Sequence, residues 1–304
     1  MVGLLRFTLR QLEYLVAVGD CGSVTIAAER QRVSAPSISV AISQLEAEMG
    51  LPIFIRRHAQ GMIPTPQGRT LIAHARQILD QSRQMVEAAN RLSGMIKGSL
   101  TVGCLSTFAQ ILLPRLRRSF TRTYPEVEFH QIESHQMAII EGLREARLDV
   151  ALTYDLAIPT DLAFDGLAEL PPFAFFAEDH PLANQESVTP AALAEFPFIL
   201  LDLPHSVDYF LALFDGAGRK PFIFERSRDI AVVQSMVANG FGYSIANLRP
   251  HTDTAPDGRR LKFVPLAGRI KPIRMGLLTA PGARDLPTVS AFARLCREEL
   301  AGLL

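Results

Sequence analysis

The sequence predicts a multi-domain α/β protein: an N-terminal winged helix-turn-helix, a long dimerisation helix and a two-lobed α/β body. Three observations carry that prediction. Two capped helix signals lie close together within residues 23–46, an apolar heptad seam runs from Leu71 to Ile96, and strand-like and helix-like segments alternate through residues 98–304. The corresponding domain boundaries are 1–65, 66–97 and 98–304.

Taken in order, Ser23 caps a helix carrying Val24, Ala27 and Ala28, and Ser34 caps a second with Pro36 in its first turn, where a missing N–H costs nothing. Ile38, Ile42, Leu45 and Met49 recur at helical spacing on one face, and Ser37, Ser39 and Ser43 mark the other. A helix entering the major groove needs short or hydrogen-bonding residues near its N-terminus, with backbone N–H groups open to phosphates. An ordinary helical hairpin would show similar caps, so the next segment matters. Between Leu51 and Gly68, the apolar runs Ile53–Ile55 and Met62–Ile63 flank a polar tip ending in Gly61 and carrying Arg56, Arg57 and His58. A basic hairpin beside such a helix pair is a wing for phosphate or minor-groove contact. The expected DNA-binding residues are Ser23, Arg32, Ser34, Ala35, Pro36, Ser37, Ser39, Arg56, Arg57 and His58.

From Pro66 to about Ile96 the chain reads as one helix after a Thr65 cap. Its seam is Leu71, Ala75, Ile78, Ser82, Met85, Ala89, Leu92 and Ile96, with Arg69, Arg76, Arg83, Glu87 and Arg91 on the exposed positions. A helix of about 30 residues spans roughly 45 Å, longer than its own small head can cover. Leu71, Ala75, Ile78, Met85, Ala89 and Leu92 are therefore expected to pair with a second copy, presenting two reading helices to a pseudo-palindromic site. Ser93-Gly94 and Lys97-Gly98-Ser99 then read as a hinge.

In the body, Leu100–Cys104, Val127–Ile132, Asp149–Thr153, Phe173–Ala177, Phe198–Leu201, Phe222–Glu225, Gly242–Ile245 and Ile273–Thr279 read as strands. Gln110–Tyr124, Met137–Ala146, Ala191–Glu195, Val207–Ala217, Ile230–Ala238 and Thr288–Leu303 read as helices. Two halves of similar build imply two lobes around a cleft, with a small ligand at the strand ends. Position alone selects Ser106, Thr107, Ser134, His135, Thr153 and Tyr154 from one lobe and Pro204, His205, Ser206 and Arg228 from the other. Each also suits a cap or turn. Arg228 is the candidate charge for an anionic effector, or else a surface ion-pair partner. The aromatic-rich run that includes Phe173, Phe175, Phe176, Phe210 and Phe214 reads as core.

Residues 7–68 resemble the winged helix-turn-helix of LysR-type transcriptional regulators. The resemblance rests on Leu9 to Val18, Gly22-Ser23, Ala27-Ala28-Glu29-Arg30, Leu45-Glu46, Met49-Gly50-Leu51-Pro52, Ile53-Phe54, Arg56, Gly61, Thr65 and Gly68 in order. Two positions depart: the family commonly has Gln where Ala35 stands and often a basic residue at Val40. Ala35 can meet a thymine methyl but cannot pair with a base edge, so readout falls more to Pro36, Ser37, Ser39, the wing and DNA shape. Weaker marks extend the resemblance over most of the chain: Gly98 to Gly103, Leu148-Asp149-Val150-Ala151-Leu152, Asp179 to Ala183, and Val237 to Tyr243. It implies a periplasmic-binding-protein-like effector domain whose chain crosses between lobes near Phe164–Leu167 and Gly268–Lys271. Lobe 1 is then about 98–166 with 269–304, and lobe 2 about 167–268. It also implies a homodimer assembling into a homotetramer, RNA polymerase as a further partner, and a bacterial source.

The 31 basic and 31 acidic residues balance overall. Residues 1–97 carry eleven Lys and Arg against seven Asp and Glu, +4, which leaves −4 for the remainder. That modest asymmetry suits a dimer using a few placed arginines. Cys21, Cys104 and Cys296 show no metal-ligand spacing, and the absence of a disulfide framework points to a reducing compartment. A redox switch through Cys104 and Cys296 is one alternative; a stand-alone solute-binding protein is another, but it would need an export signal and has no use for residues 7–68. The seven histidines are scattered without a paired-ligand or nucleophile motif, so neither an enzyme nor a cofactor or metal is expected. No stretch reads as a signal peptide or membrane span, which predicts a cytoplasmic protein. The expected function is sequence-specific binding of double-stranded promoter DNA, with DNA bending that responds to a small effector in the cleft.

Overall fold

The computed structural model describes residues 6–57, 61–92, 96–268 and 270–301. The chain forms two compact units, one of residues 1–95 with the short segment 145–147, the other of residues 96–144 and 148–304.

The first unit opens with helix α1 (Leu9–Cys21). Thr8 caps it reciprocally: its hydroxyl accepts from the Gln11 N–H at 3.2 Å while Gln11 Oε1 accepts from the Thr8 N–H at 2.8 Å. Helix α2 (Val24–Gln31) follows the Ser23 cap, and α3 (Ala35–Met49) the Ser34 cap, each as its sequence predicts. Ile38, Ile42 and Leu45 of α3 are buried with Leu12, Leu15 and Ala27. Strands β1 (Phe54–Arg57) and β2 (Gly61–Pro64) pair antiparallel, Phe54 opposite Pro64 and Arg57 opposite Gly61.

The hairpin is tied down at both ends. Glu46, near the end of α3, accepts from the Ile53 and Phe54 N–H groups at 2.8 and 3.1 Å. At the other end the Met62 N–H donates to the Gly22 carbonyl at 2.7 Å. Gly61 has φ of +77°, and a Cβ there would lie 2.3 Å from that same carbonyl, so no other residue fits without moving backbone. Thr65 then starts helix α4 (Pro66–Leu92), accepting from the Gly68 N–H at 2.8 Å and donating to the Pro52 carbonyl at 3.0 Å.

Helix α4 divides lengthwise. Ile72 and Ala75 are buried in the core of the head, and Leu71 and Leu79 pack against it. Ile78, Met85 and Val86 are exposed, Met85 by 72% of its surface, and so is Ala89. The expected seam is therefore corrected at its start: Leu71 and Ala75 serve their own head, because α1 lies against the first turns of α4. Arg76, expected on the outer face, is mostly buried and ion-paired with Asp20. The side chain of Leu92 lies outside the described residues.

The second unit holds a five-stranded sheet in the order β4-β3-β5-β12-β6. Strand β3 (Gly98–Cys104) runs parallel to β4 (Val127–Glu133) and β5 (Val150–Tyr154), while β12 (Ile273–Thr279) is antiparallel to β5 and β6 (Ala163–Leu170). The helix predicted over 110–124 is instead two, α5 (Ser106–Ile111) and α6 (Leu113–Thr123). Pro114, in the first turn of α6, has no N–H and its ring would clash with the carbonyl four residues back in a continuous helix. Helices α7 (Gln136–Arg144) and α11 (Pro287–Leu300) complete this half, whose core joins Phe108, Phe120 and Phe292 with the sheet.

In the other half, β7 (Phe173–Ala177) lies between β10 (Ser244–Ala246) and β11 (Leu261–Pro265), both antiparallel to it. β8 (Pro197–Leu201) runs parallel to β9 (Phe222–Ser227), and a bridge from Phe198 to Tyr243 links the two pairings. Helices α8 (Pro190–Leu193), α9 (Ser206–Ala212) and α10 (Ile230–Ala238) cover these strands. The crossing expected at Phe164–Leu167 is displaced: those residues belong to β6, and the chain leaves the five-stranded sheet only after Leu170. The return, near Gly268–Lys271, falls between β11 and β12.

Candidate functional site

Two places in the molecule are built for recognition. The first is the N-terminal half of α3. The Ser34 hydroxyl accepts from the Ser37 N–H at 3.3 Å, and the two serine hydroxyls share a hydrogen bond at 2.7 Å. Ser34, Pro36, Ser37 and Val40 are exposed, whereas Ile38, Ala41 and Ile42 are buried. The open face is thus short, uncharged and followed by Ser43 and Gln44, the latter accepting from Gln11 at 2.9 Å. Ser39 is half-buried, and Ala35 is half-buried against the core of the head. Arg32 ends α2 in the left-handed conformation at φ +53° and is exposed at the turn. Ser23 is half-buried, its hydroxyl accepting from the Ile26 N–H at 3.4 Å. Arg56 and Arg57 lie within strand β1 and not on the tip of the hairpin, because the pairing runs on as far as Arg57 opposite Gly61. Their side chains, and His58 altogether, lie outside the described residues.

The second place is a cleft of about 390 Å³ in the second unit. The sequence-selected Ser106, Thr107, Ser134, His135, Tyr154, Pro204 and Ser206 all line it. Ser106 and Thr107 begin α5 just beyond β3, Ser134 and His135 follow β4, and Tyr154 ends β5, so the parallel strands deliver them together. Burial pushes the Tyr154 phenol well above its ordinary value, partly offset by a hydrogen bond with Thr107, so it stays protonated. The facing wall comes from Phe173 and Phe175 of β7, Leu201 at the end of β8, Phe263 of β11 and Ile230 and Gln234 of α10. The Phe173 and Phe263 rings meet edge-on at 5.5 Å.

Three selected residues are not in the lining. Thr153 is fully buried, outside the lining, and donates to Oε1 of the lining residue Gln136. Side chains alternate along a strand, so if Tyr154 faces the cleft Thr153 cannot. His205 lies in the left-handed turn before α9 at φ +66°. Arg228 is exposed in the tight bend after β9, where the Asp229 N–H returns to the Ser227 hydroxyl at 3.2 Å and Asp229 caps α10. Strand β9 pairs only with β8, so its end falls at the margin of the sheet.

Two lining residues that sequence reasoning passed over hold the cleft in shape. Gln136 fixes its own amide on the carbonyls of Leu156 and Tyr154 at 3.1 and 3.4 Å. Asn247, buried, donates to the Leu170 carbonyl and to the Tyr209 hydroxyl, both at 2.9 Å, tying the crossing point to α9. The signal for Asn247 is a lone amide directly after the short, mostly buried β10.

Cys104 and Cys296 are free and buried in the core of the five-stranded half. Burial pushes the Cys104 thiol up to about 12 with help from the Glu133 charge, and burial raises Cys296 further. A redox switch needs an accessible thiolate, and neither site supplies one.

A winged helix-turn-helix followed by a long helix and a two-lobed small-molecule cleft defines a ligand-responsive DNA-binding regulator. Comparison with known proteins agrees. Residues 9–69 match the family model described as bacterial regulatory helix-turn-helix protein, lysR family, and residues 93–301 match the LysR substrate binding domain. The chain is 30% identical over 269 residues to the uncharacterized HTH-type transcriptional regulator YnfL of Escherichia coli K12, covering 86% of this chain and 89% of that protein. It is 27% identical to the E. coli K12 dual regulator OxyR over 97% of its own length and 96% of OxyR's. Among solved structures it is similar to HinK, a LysR family transcriptional regulator from Pseudomonas aeruginosa, at 32% identity and a TM-score of 0.66, covering 98% and 100% of the two chains. The chain belongs to the LysR family of transcriptional regulators.

Proposed function

We propose that this regulator reads promoter DNA with the exposed face of α3, using Ser34, Pro36 and Ser37, while Ser39 and Arg32 border that face and the β1–β2 wing carrying Arg56 and Arg57 meets the phosphate backbone. The observation that carries this reading is the division of α3 into a buried apolar stripe and an open, small-residue N-terminal face whose backbone can approach the groove closely. With Ala35 turned partly toward the head and Val40 exposed, readout rests on shape and a few hydroxyls more than on paired hydrogen bonds.

The protein works as a dimer joined along the exposed stripe of α4, Ile78, Met85 and Ala89, with Leu92 continuing the heptad, and two dimers form the tetramer. Its domains divide at 65 and 97, and its lobes where β6 ends and β12 begins. The effector occupies the cleft between Ser106, Thr107, Ser134, His135 and Tyr154 on one side and Pro204, Ser206, Phe173 and Phe263 on the other. It biases the lobes toward one arrangement, and so the DNA bend, by its differential affinity for the two. The protein acts by binding and not by catalysis, in the cytoplasm; among the described residues no helix is long and apolar enough to cross a membrane. Electrophoretic retardation of the DNA upstream of its own gene tests this. Binding should prefer that DNA over a scrambled duplex and weaken steeply with salt; equal binding to both would defeat the reading.

A further inference from the structure

We infer that the effector is an uncharged, mainly apolar small molecule carrying a flat ring, and not an organic acid or amine. The inference rests on the reading of the cleft as the effector site and deepens it by naming the class of ligand. Its volume falls within the range, about 300–1,000 Å³, of sites for small organic molecules. Among the described residues that line it, none is Lys, Arg, Asp or Glu. Every polar lining group is a hydroxyl, an amide, a phenol or one of two imidazoles, His135 and His251, both at exposed positions.

Three arginines of the surrounding segments are ion-paired outside the lining. Arg226 pairs with Asp202 at 3.7 Å and Arg274 with Asp155 at 2.8 Å. Arg249 borders an adjoining depression, where it pairs with Asp253 at 2.9 Å and lies over the Phe263 ring at 4.9 Å. Arg228, the residue that the strand order nominates for an anion, is outside the lining.

A carboxylate or ammonium drawn from water into such a site meets a large desolvation cost that only an opposite charge or a dense set of hydrogen bonds offsets. A hydroxyl, amide or ring N–H costs far less, and the hydrogen-bonding groups present suffice for it. Gln136 and Asn247 are already used to hold the protein together. Ser106, Ser134 and Gln234 make no side-chain hydrogen bond to another described residue and are open to a ligand. The remaining wall is apolar, largely Leu, Ile and Pro, and presents an aromatic ring from each lobe. Tyr154, packed on Phe108 at 4.7 Å, faces from one lobe, and the Phe173–Phe263 pair from the other. Rings gain both area and preferred edge or offset contacts against such walls.

Matched probes on the full-length protein decide the matter. Benzamide, benzyl alcohol and indole would be titrated beside benzoate, indole-3-carboxylate and benzylamine at about pH 8, where an ordinary imidazole is neutral. Binding would be followed by ligand-observed NMR. The uncharged member of each pair should bind at least about tenfold more tightly than its ion. That binding should disappear in Ala246→Trp, which fills the cleft, and Gln234→Arg should swing the preference toward benzoate. If benzoate or benzylamine binds best to the wild type and is lost in Ala246→Trp, the class of ligand is wrong while the cleft reading stands. If no probe responds to either substitution, the cleft reading itself falls. Should Ala246→Trp fail to fold by circular dichroism, Gln234→Arg alone separates these outcomes, since a change in any probe's affinity places it in the cleft.

Discussion

Within α3, consecutive residues from Ser34 to Val40 supply the cap, the first turn and the exposed face, whereas the cleft gathers its wall from segments as distant as Leu105 and Phe263. The first surface is open, hydroxyl-bearing and held by local hydrogen bonds. The second is apolar and free of Asp, Glu, Lys and Arg among its described lining, and it exists only once both lobes have folded. The contrast separates two kinds of dependence. Damage to the reading face should spare folding, and damage to the cleft should spare DNA binding unless it reaches the packing beneath.

The largest effect should come from the link that makes two reading heads into one reader. Ile78→Glu with Met85→Glu places charges on the exposed stripe of α4. It should turn the protein monomeric in analytical ultracentrifugation and weaken specific DNA binding on the order of 100-fold, since the second half-site is lost. A smaller loss, confined to the head, is expected from Gly61→Ala. A methyl forced against the Gly22 carbonyl at positive φ should cost about 2 kcal/mol in denaturant unfolding while cleft-ligand binding is retained. Thr153→Val should cost about 1–2 kcal/mol in denaturant unfolding by leaving Gln136 Oε1 without its donor, and any loss of probe affinity should come through the loosened Gln136 amide, since Thr153 itself is outside the lining. At neutral pH the slightest effect concerns the thiols. A folded-state thiol at about 12 against an ordinary 9.0 keeps its proton longer than the unfolded chain does. Its contribution to stability is therefore full below about 9 and lost as pH rises toward 12. At neutral pH, iodoacetamide should label Cys21, which is partly exposed, well before Cys104 or Cys296.

Legibility in the sequence followed the same divide. Caps, turn glycines and the apolar stripe of α3 are local signals, and the structure places them where they were read. The start of the α4 seam was misassigned because heptad spacing does not say which partner an apolar residue meets; Ala75 meets its own head. Strands β6 and β11 escaped notice. β6 carries Asp165, Gly166 and Glu169 on a partly exposed edge of the sheet, and β11 mixes Lys262 with apolar residues, so neither shows a continuous apolar run. At the cleft, strand-end positions such as Ser106, Ser134 and Tyr154 were readable from strand order. Arg228 and His205 were not, because placement around a cleft depends on where each strand lies in the sheet. Thr153 was excludable from alternation alone once Tyr154 was chosen.

Whether the small open face of α3 reads DNA can be decided by one paired titration of the upstream duplex. Ser37→Glu puts a carboxylate on that face, and Ser187→Glu makes the same change at an exposed position in the other unit. Ser37→Glu should weaken binding by roughly 100-fold with unchanged thermal unfolding, while Ser187→Glu should bind as the wild type does. Equal affinities for the two variants would contradict a reading role for that face.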